Sequence, residues 1–125
     1  MRLSTTAKNI YAKIRQETTK LGDLRKIAKD IKKDHDLAME LWSTSDYLSR
    51  HLAILIMDNK LITQEVIDLL DNDIQNHEPE ERIQLIDWLM ANQLSKDKKT
   101  IALMESWENS SSTLQRRLFG TIRHD

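Results

Sequence analysis

Asp87 stands among Ile83, Ile86, Trp88, Leu89 and Met90, an otherwise apolar stretch of helical character. An unpaired carboxylate is costly to bury among such neighbours, so Asp87 must face water, a base or a ligand. Arg116 and Arg117 form the only adjacent arginine pair in the chain. A guanidinium can grip a phosphate through two parallel hydrogen bonds. Arg25, Lys26, Lys29, Lys32 and Lys33 crowd a short segment. At helical spacing residues 25, 29, 32 and 33 fall close together on one side. Turned toward nucleic acid, such a side attracts phosphates; otherwise it is a solvated charged face.

Other chemistries find no support. The chain has no Cys, which excludes thiol catalysis, disulfides and Cys-ligated zinc. It contains no G-x-S-x-G, Walker loop, G-x-G-x-x-G or H-E-x-x-H motif. His35, His51, His77 and His124 lie far apart in sequence, so they read as turn and surface residues, and no metal site is expected. Asp68, Asp71 and Asp73 loosely match a calcium loop, yet the Gly and terminal Glu of such a loop are missing. They read as a solvated acidic helix end.

Helical periodicity positions these residues. Ile10, Tyr11 and Ile14 mark a first helix opened by Ser4-Thr5-Thr6. Asp23 is the expected N-cap of a second helix, with Leu24, Ile27, Ala28 and Ile31 on its apolar stripe. Asp34 or Asp36 caps a short third helix carrying Leu37, Leu41 and Trp42. Ser43-Thr44-Ser45 breaks the chain and caps a fourth, which is apolar nearly all round from Tyr47 to Met57. Thr63 caps a fifth. Pro79 opens a sixth, with Glu80 and Glu81 in its first turn and Ile83, Ile86, Leu89 and Met90 on its buried stripe. Ser95 caps a seventh helix, and Ser110-Ser111-Ser112 breaks and caps an eighth. Trp42 and Trp107 fall on apolar stripes and belong to the core; Trp88 lies off its stripe.

The expected fold is therefore all-α, with about eight helices joined by short polar turns and no linker to divide them. Two Gly and one Pro in 125 residues leave too few turn signals for most β architectures. Helix pairs recur at HEAT-like intervals of about 30–40 residues, and both a closed bundle and a helical stack fit the pattern. The longest apolar run, Leu52 to Met57, is far too short to span a membrane, and no signal peptide is legible in the first 20 residues. With the absence of Cys this suits a cytoplasmic protein. The net charge of −1 is uneven: residues 1–36 sum to +5, residues 37–112 to −8 and residues 113–125 to +2. Any nucleic-acid binding must then be local and not a property of the whole surface.

From Leu21-Gly22-Asp23-Leu24-Arg25-Lys26 through Glu40-Leu41-Trp42 the chain resembles the DNA alkylation repair family, HEAT-like repeat proteins related to alkylpurine DNA glycosylases. The likeness continues through Ser49-Arg50-His51-Leu52-Ala53, Asp58 to Thr63, Ile86-Asp87-Trp88-Leu89 and Trp107 to Phe119, covering roughly Lys20 to Ile122. It implies a HEAT-like stack of antiparallel helix pairs, an α-α superhelix whose concave basic face holds duplex DNA. Active members release a positively charged alkylated purine by hydrolysing its N-glycosidic bond. In their active motif an Asp follows a Trp by four residues; Asp87 matches the Asp, and Ile83 occupies the Trp position. Asn92 matches an Asn five residues further on. Arg117 matches an Arg ten residues after a Trp, here Trp107. Arg50 matches an Arg of the fourth helix, with Ser49 where an acidic residue usually precedes it.

These matches imply Asp87 as the catalytic carboxylate, set near the developing oxocarbenium charge beside a positioned water. They imply Arg117, with Arg116, Arg50 and Asn92, as DNA contacts on the same surface; Lys29 and Lys32 join them from the basic second helix. No cofactor is expected. Family chains are longer, so residues 1–125 are expected to form a single helical-repeat domain of a shortened or partial member. The acidic middle of the chain and Ile83 point the other way, to a non-catalytic helical-repeat domain that has lost the site and binds a protein partner.

Overall fold

The computed structural model describes residues 3–16 and 20–122, and His124 lies outside them. Eight α-helices are present among the described residues, with no strand: α1 (Thr5–Gln16), α2 (Leu21–Ile31), α3 (His35–Trp42), α4 (Tyr47–Ile56), α5 (Gln64–Gln75), α6 (Pro79–Leu89), α7 (Lys98–Glu105) and α8 (Thr113–Gly120). The fold is all-α. The chain divides into two compact units, residues 1–61 and residues 62–125.

In the first unit α4 packs against both α2 and α3, and α1 lies on α3 and α4. The apolar surround of α4 explains this: Leu52, Ala53, Ile54 and Ile56 are all fully buried. Leu24, Leu41 and Trp42 fill the space facing it. In the second unit α5 packs on α6 and α7 on α8, around Ile67, Leu70, Leu89, Met104, Trp107 and Leu118.

Side-chain caps set most helix starts. The Ser4 hydroxyl accepts the Ala7 N–H at 3.1 Å, Asp34 the Leu37 N–H at 3.1 Å, Thr63 the Val66 N–H at 3.3 Å and Ser112 the Gln115 N–H at 3.2 Å. Three expected caps are corrected. Helix α2 begins at Leu21, and Asp23 accepts the Lys20 N–H at 2.9 Å from inside the first turn. Helix α4 is capped by Asp46 and α7 by Asp97, because the turns before them run longer than the serines suggest.

The stripe of α6 is also corrected. Leu85 and Leu89 are buried, whereas Ile83 is 41% exposed and Met90 only half-buried. Beyond Leu89 the chain winds as a single π-helical turn, Met90–Leu94, in which the Ser95 N–H donates to the Met90 carbonyl at 3.0 Å. Leu89 and Leu94 both point inward, although five residues of α-helix would set them about 140° apart. The wide turn lets the chain bury both and explains why a 3.6-residue pattern misjudges this helix.

Candidate nucleic-acid interface

In the first unit α2 and α4 build a groove of about 320 Å³ lined by Arg25, Ala28, Lys29, Lys32, Lys33 and Leu55. It holds four of the five basic residues of this segment. Lys29, Lys32 and Lys33 are exposed, and their side chains meet no carboxylate among the described residues. Lys32 follows the last residue of α2 with φ 67° and ψ −149°. This region of the backbone map is nearly reserved for glycine and costs a side-chain-bearing residue about 1–3 kcal/mol.

Arg50 takes a different place. It is buried in α4 at 4% exposure. Its Nε donates to the Trp42 carbonyl at 3.0 Å, an Nη donates to the Ser45 hydroxyl at 3.3 Å, and the guanidinium lies 4.7 Å from the centre of the Trp42 ring. Ser45 itself has φ 64°. Arg50 thus ties down the turn between α3 and α4 from inside the core.

In the second unit a groove of about 370 Å³ runs beside α6 and α8, lined by Ile74, Gln75, Pro79, Arg82, Ile83, Ile86, Thr113, Leu114 and Arg117. Its floor is aliphatic and its cations are Arg82 and Arg117. Arg82 is anchored, its Nε donating to the His77 carbonyl at 2.8 Å. Arg117 is exposed and makes no side-chain hydrogen bond among the described residues. Its neighbour differs: Arg116 donates to the Ser110 carbonyl at 2.6 Å and to the Thr113 hydroxyl at 3.3 Å, so it closes its own loop. The sequence pair therefore splits into a structural and an available arginine.

Asp87 is exposed and has no hydrogen-bond or ion-pair partner among the described residues. It does not line the groove but stands one helical turn beyond Ile83 on the same face of α6. Asn92 is half-buried in the π-helical turn, and its amide donates to the Trp88 carbonyl at 2.9 Å. Nothing in the sequence spacing singles out Arg82 as groove-lining, except that it lies four residues before Ile86.

A further concavity of about 530 Å³ in the second unit is lined by Gln64, Asp68, Asp71, Asn72, Gln75, Ser110, Ser111, Ser112 and Gln115. Here the solvated acidic helix end is corrected, because Asp71 is only 5% exposed. Its carboxylate accepts from Gln75 at 2.6 Å, from Ser112 at 2.5 Å and from Gln115 at 2.9 Å. The Gln115 amide also reaches Asp68 at 2.9 Å, while Trp107 Nε1 donates to Gln64 at 2.7 Å. These bonds join α5 to the start of α8 and, through Trp107, to the segment that follows α7. Among the described residues no three His, Asp or Glu side chains gather as a metal site, and no helix is long and apolar enough to cross a membrane.

No curated protein and no solved structure matches the chain. The family model described as DNA alkylation repair enzyme matches residues 8–119, from within α1 to within α8 and so across both units. With that match over most of its length, the chain belongs to the DNA alkylation repair enzyme family.

Proposed function

We propose that the chain binds duplex DNA and hydrolyses the N-glycosidic bond of an alkylated purine, with Asp87 as the carboxylate and Arg117 as a phosphate contact. The observation that carries this is the pair of unpartnered charges served by α6 and α8. Among the described residues no base neutralises exposed Asp87, and Arg117 has no side-chain hydrogen bond at its aliphatic groove while Arg116 and Arg82 are engaged. A cationic purine is already a good leaving group. A carboxylate that stabilises the developing positive sugar and orients water supplies most of what the step needs. Ile83 and Ile86 offer an apolar surface to the sugar or base. Asn92 serves by shaping the π-helical turn behind Asp87, and Arg50 by holding its own turn in the core.

The test measures two quantities in the same variants: release of methylated purine from alkylated duplex, and duplex affinity. Asp87→Asn should abolish release and leave most affinity, while Arg117→Ala should weaken both. Release by Asp87→Asn at the wild-type rate refutes the assignment. Ile83 favours a second reading, in which the domain keeps the fold and binds without catalysis: an exposed aliphatic side chain offers no π-face to a cationic base. Wild-type duplex binding with no release from any alkylated substrate would select it.

A further inference from the structure

The concavity between α5 and the start of α8 is walled entirely by amides, hydroxyls and carboxylates, and its only charges are Asp68 and Asp71. At about 530 Å³ it has room for a side chain and its water. Its internal bonds use up most of its donors. The Gln64 amide gives its hydrogens to Asp68 and Gln115, at 2.8 and 3.1 Å, and the Gln115 amide gives its own to Asp68 and Asp71, at 2.9 Å each. The hydroxyls of Ser110 and Ser112 donate to Gln115 and Asp71. Acceptors are left over. Asp68 takes both of its bonds on Oδ1, and its Oδ2 receives none among the described residues.

Charge is left over as well. Asp71 is only 5% exposed, yet among the described residues no Lys, Arg or His forms an ion pair with it or with Asp68. Its carboxylate is held by neutral donors alone, so its negative charge is not cancelled. Helix α5 strengthens the field, because it carries Glu65, Asp68, Asp71 and Asp73 and no basic residue. Such a surface repels phosphates, which sets it apart from the DNA contacts proposed above. A hard metal ion wants six or more oxygens, and the side-chain carbonyls of Gln64 and Gln115 already accept from Trp107 and Ser110. A guanidinium fits better: it is all donor, carries the missing charge and matches a carboxylate edge to edge.

Leu69 indicates where that cation comes from. It is 46% exposed on α5, between Glu65 and Asp73, and stands three residues before Asn72 of the cavity wall. Residues three apart on a helix are surface neighbours. A free amine would leave Leu69 in water, whereas a protein segment that presents an arginine beside an apolar side chain covers both, as the anchors of protein interfaces do.

We infer that this concavity is a docking site for a basic segment of a partner protein, with an arginine guanidinium seated on Asp68 and Asp71 and an apolar neighbour laid on Leu69. The inference holds whether or not Asp87 is catalytic, and it adds a protein contact to a chain whose proposed chemistry lies at α6 and α8.

The protein supplies its own reporter. Trp107 Nε1 donates to Gln64 at 2.7 Å, so its indole N–H resonance senses the cavity, while Trp42 lies in the other unit and serves as reference. The full ¹⁵N-labelled chain is titrated with a short capped peptide of arginine, leucine and glycine, and with a twin carrying citrulline for arginine, which keeps the shape and loses the charge. The arginine peptide should shift Trp107 and not Trp42, and the citrulline twin should bind about 10-fold more weakly or worse. Asp68→Asn, isosteric at an exposed position, should weaken the arginine peptide by about 10-fold. Glu65→Gln removes the same charge from the same helix outside the cavity and should weaken it by about 3-fold at most. Leu69→Gln should weaken the peptide and leave binding of arginine amide unchanged.

Equal binding of the two peptides, or a Trp107 resonance that stays in place, overturns the inference. Equal losses in Asp68→Asn and Glu65→Gln overturn it too, since they describe a diffuse acidic face. Arginine amide that binds as tightly as the peptide, or a Leu69→Gln chain that binds the peptide normally, overturns the protein partner in favour of a free amine. None of these outcomes touches purine release by the Asp87 and Arg117 variants, so the repair reading stands or falls separately.

Discussion

Arg50 offers the sharpest contrast between a charge that meets a ligand and one that holds the fold. The perturbation is Arg50→Met, which keeps an unbranched apolar stem and removes the guanidinium with its donors. The lost Nε bond to the Trp42 carbonyl is charge-assisted and buried, a class of contact that contributes about 1.5–3 kcal/mol. The carbonyl keeps one long contact, the Ser45 N–H at 3.3 Å, which places the loss toward the lower end. The stacking of the guanidinium on Trp42 adds up to ~2 kcal/mol in a desolvated site. Methionine returns part of this through its own apolar contacts. The expected net destabilisation is about 3 kcal/mol, which at ~4 °C per kcal/mol for a chain of this size lowers the melting temperature by about 12 °C. Circular dichroism at 222 nm, followed through thermal and urea unfolding, reads the change. The salt slope for duplex, measured at a temperature where both chains are folded, should not move. A variant within ~0.5 kcal/mol of wild type would refute the core role. A slope flattened by about 0.9 with stability intact would make Arg50 a phosphate ligand after all.

Other perturbations follow from bonds of the second unit. Ser112→Ala removes both the cap of α8 and a donor to buried Asp71, and should cost about 1–2 kcal/mol by urea unfolding. Thr100→Val, at a fully buried hydroxyl donating to the Leu94 carbonyl at 2.9 Å, should cost about 1–2 kcal/mol because that carbonyl loses its donor. Asn92→Ala should cost about 1 kcal/mol through the Trp88 carbonyl and leave duplex affinity unchanged; weaker binding at a temperature where both chains are folded would mark Asn92 as a DNA contact.

Much of the architecture can be read from the chain because it rests on local rules. Asp34, Thr63 and Ser112 cap as their side chains dictate, Pro79 opens α6, and Trp42 and Trp107 are buried as their stripes require. The family likeness is carried by contiguous stretches, so it too is visible in the letters alone. What local rules cannot show is a partner far along the chain. Asp71 looks solvated until Ser112 and Gln115, 41 and 44 residues later, are set against it. Arg50 looks like a surface cation because nothing in its neighbours announces that the Trp42 carbonyl waits eight residues back. The α2 cations are legible as one face, while Leu55, which turns that face into a groove, comes from another helix. Arg116 and Arg117 cannot be told apart until the loop carbonyl of Ser110 is placed.

The wide turn at Met90–Leu94 bears on how this chain lines up with other members of its family. A π-helical turn spends five residues where an α-helical turn spends four, so it has the form of a one-residue insertion accommodated without breaking the helix. Residues on either side of it keep their own registers but lose the common one. Spacings counted within Pro79–Leu89 set residues as an ordinary helix does; a spacing that crosses Met90, such as that from Asp87 to Asn92, sets them at a different angle about the axis. Deleting Ala91 from this chain should then yield an α-helix that continues α6 without interruption and in which the residues after it advance by one position, making the turn that follows α6 the point where a length change is most readily absorbed.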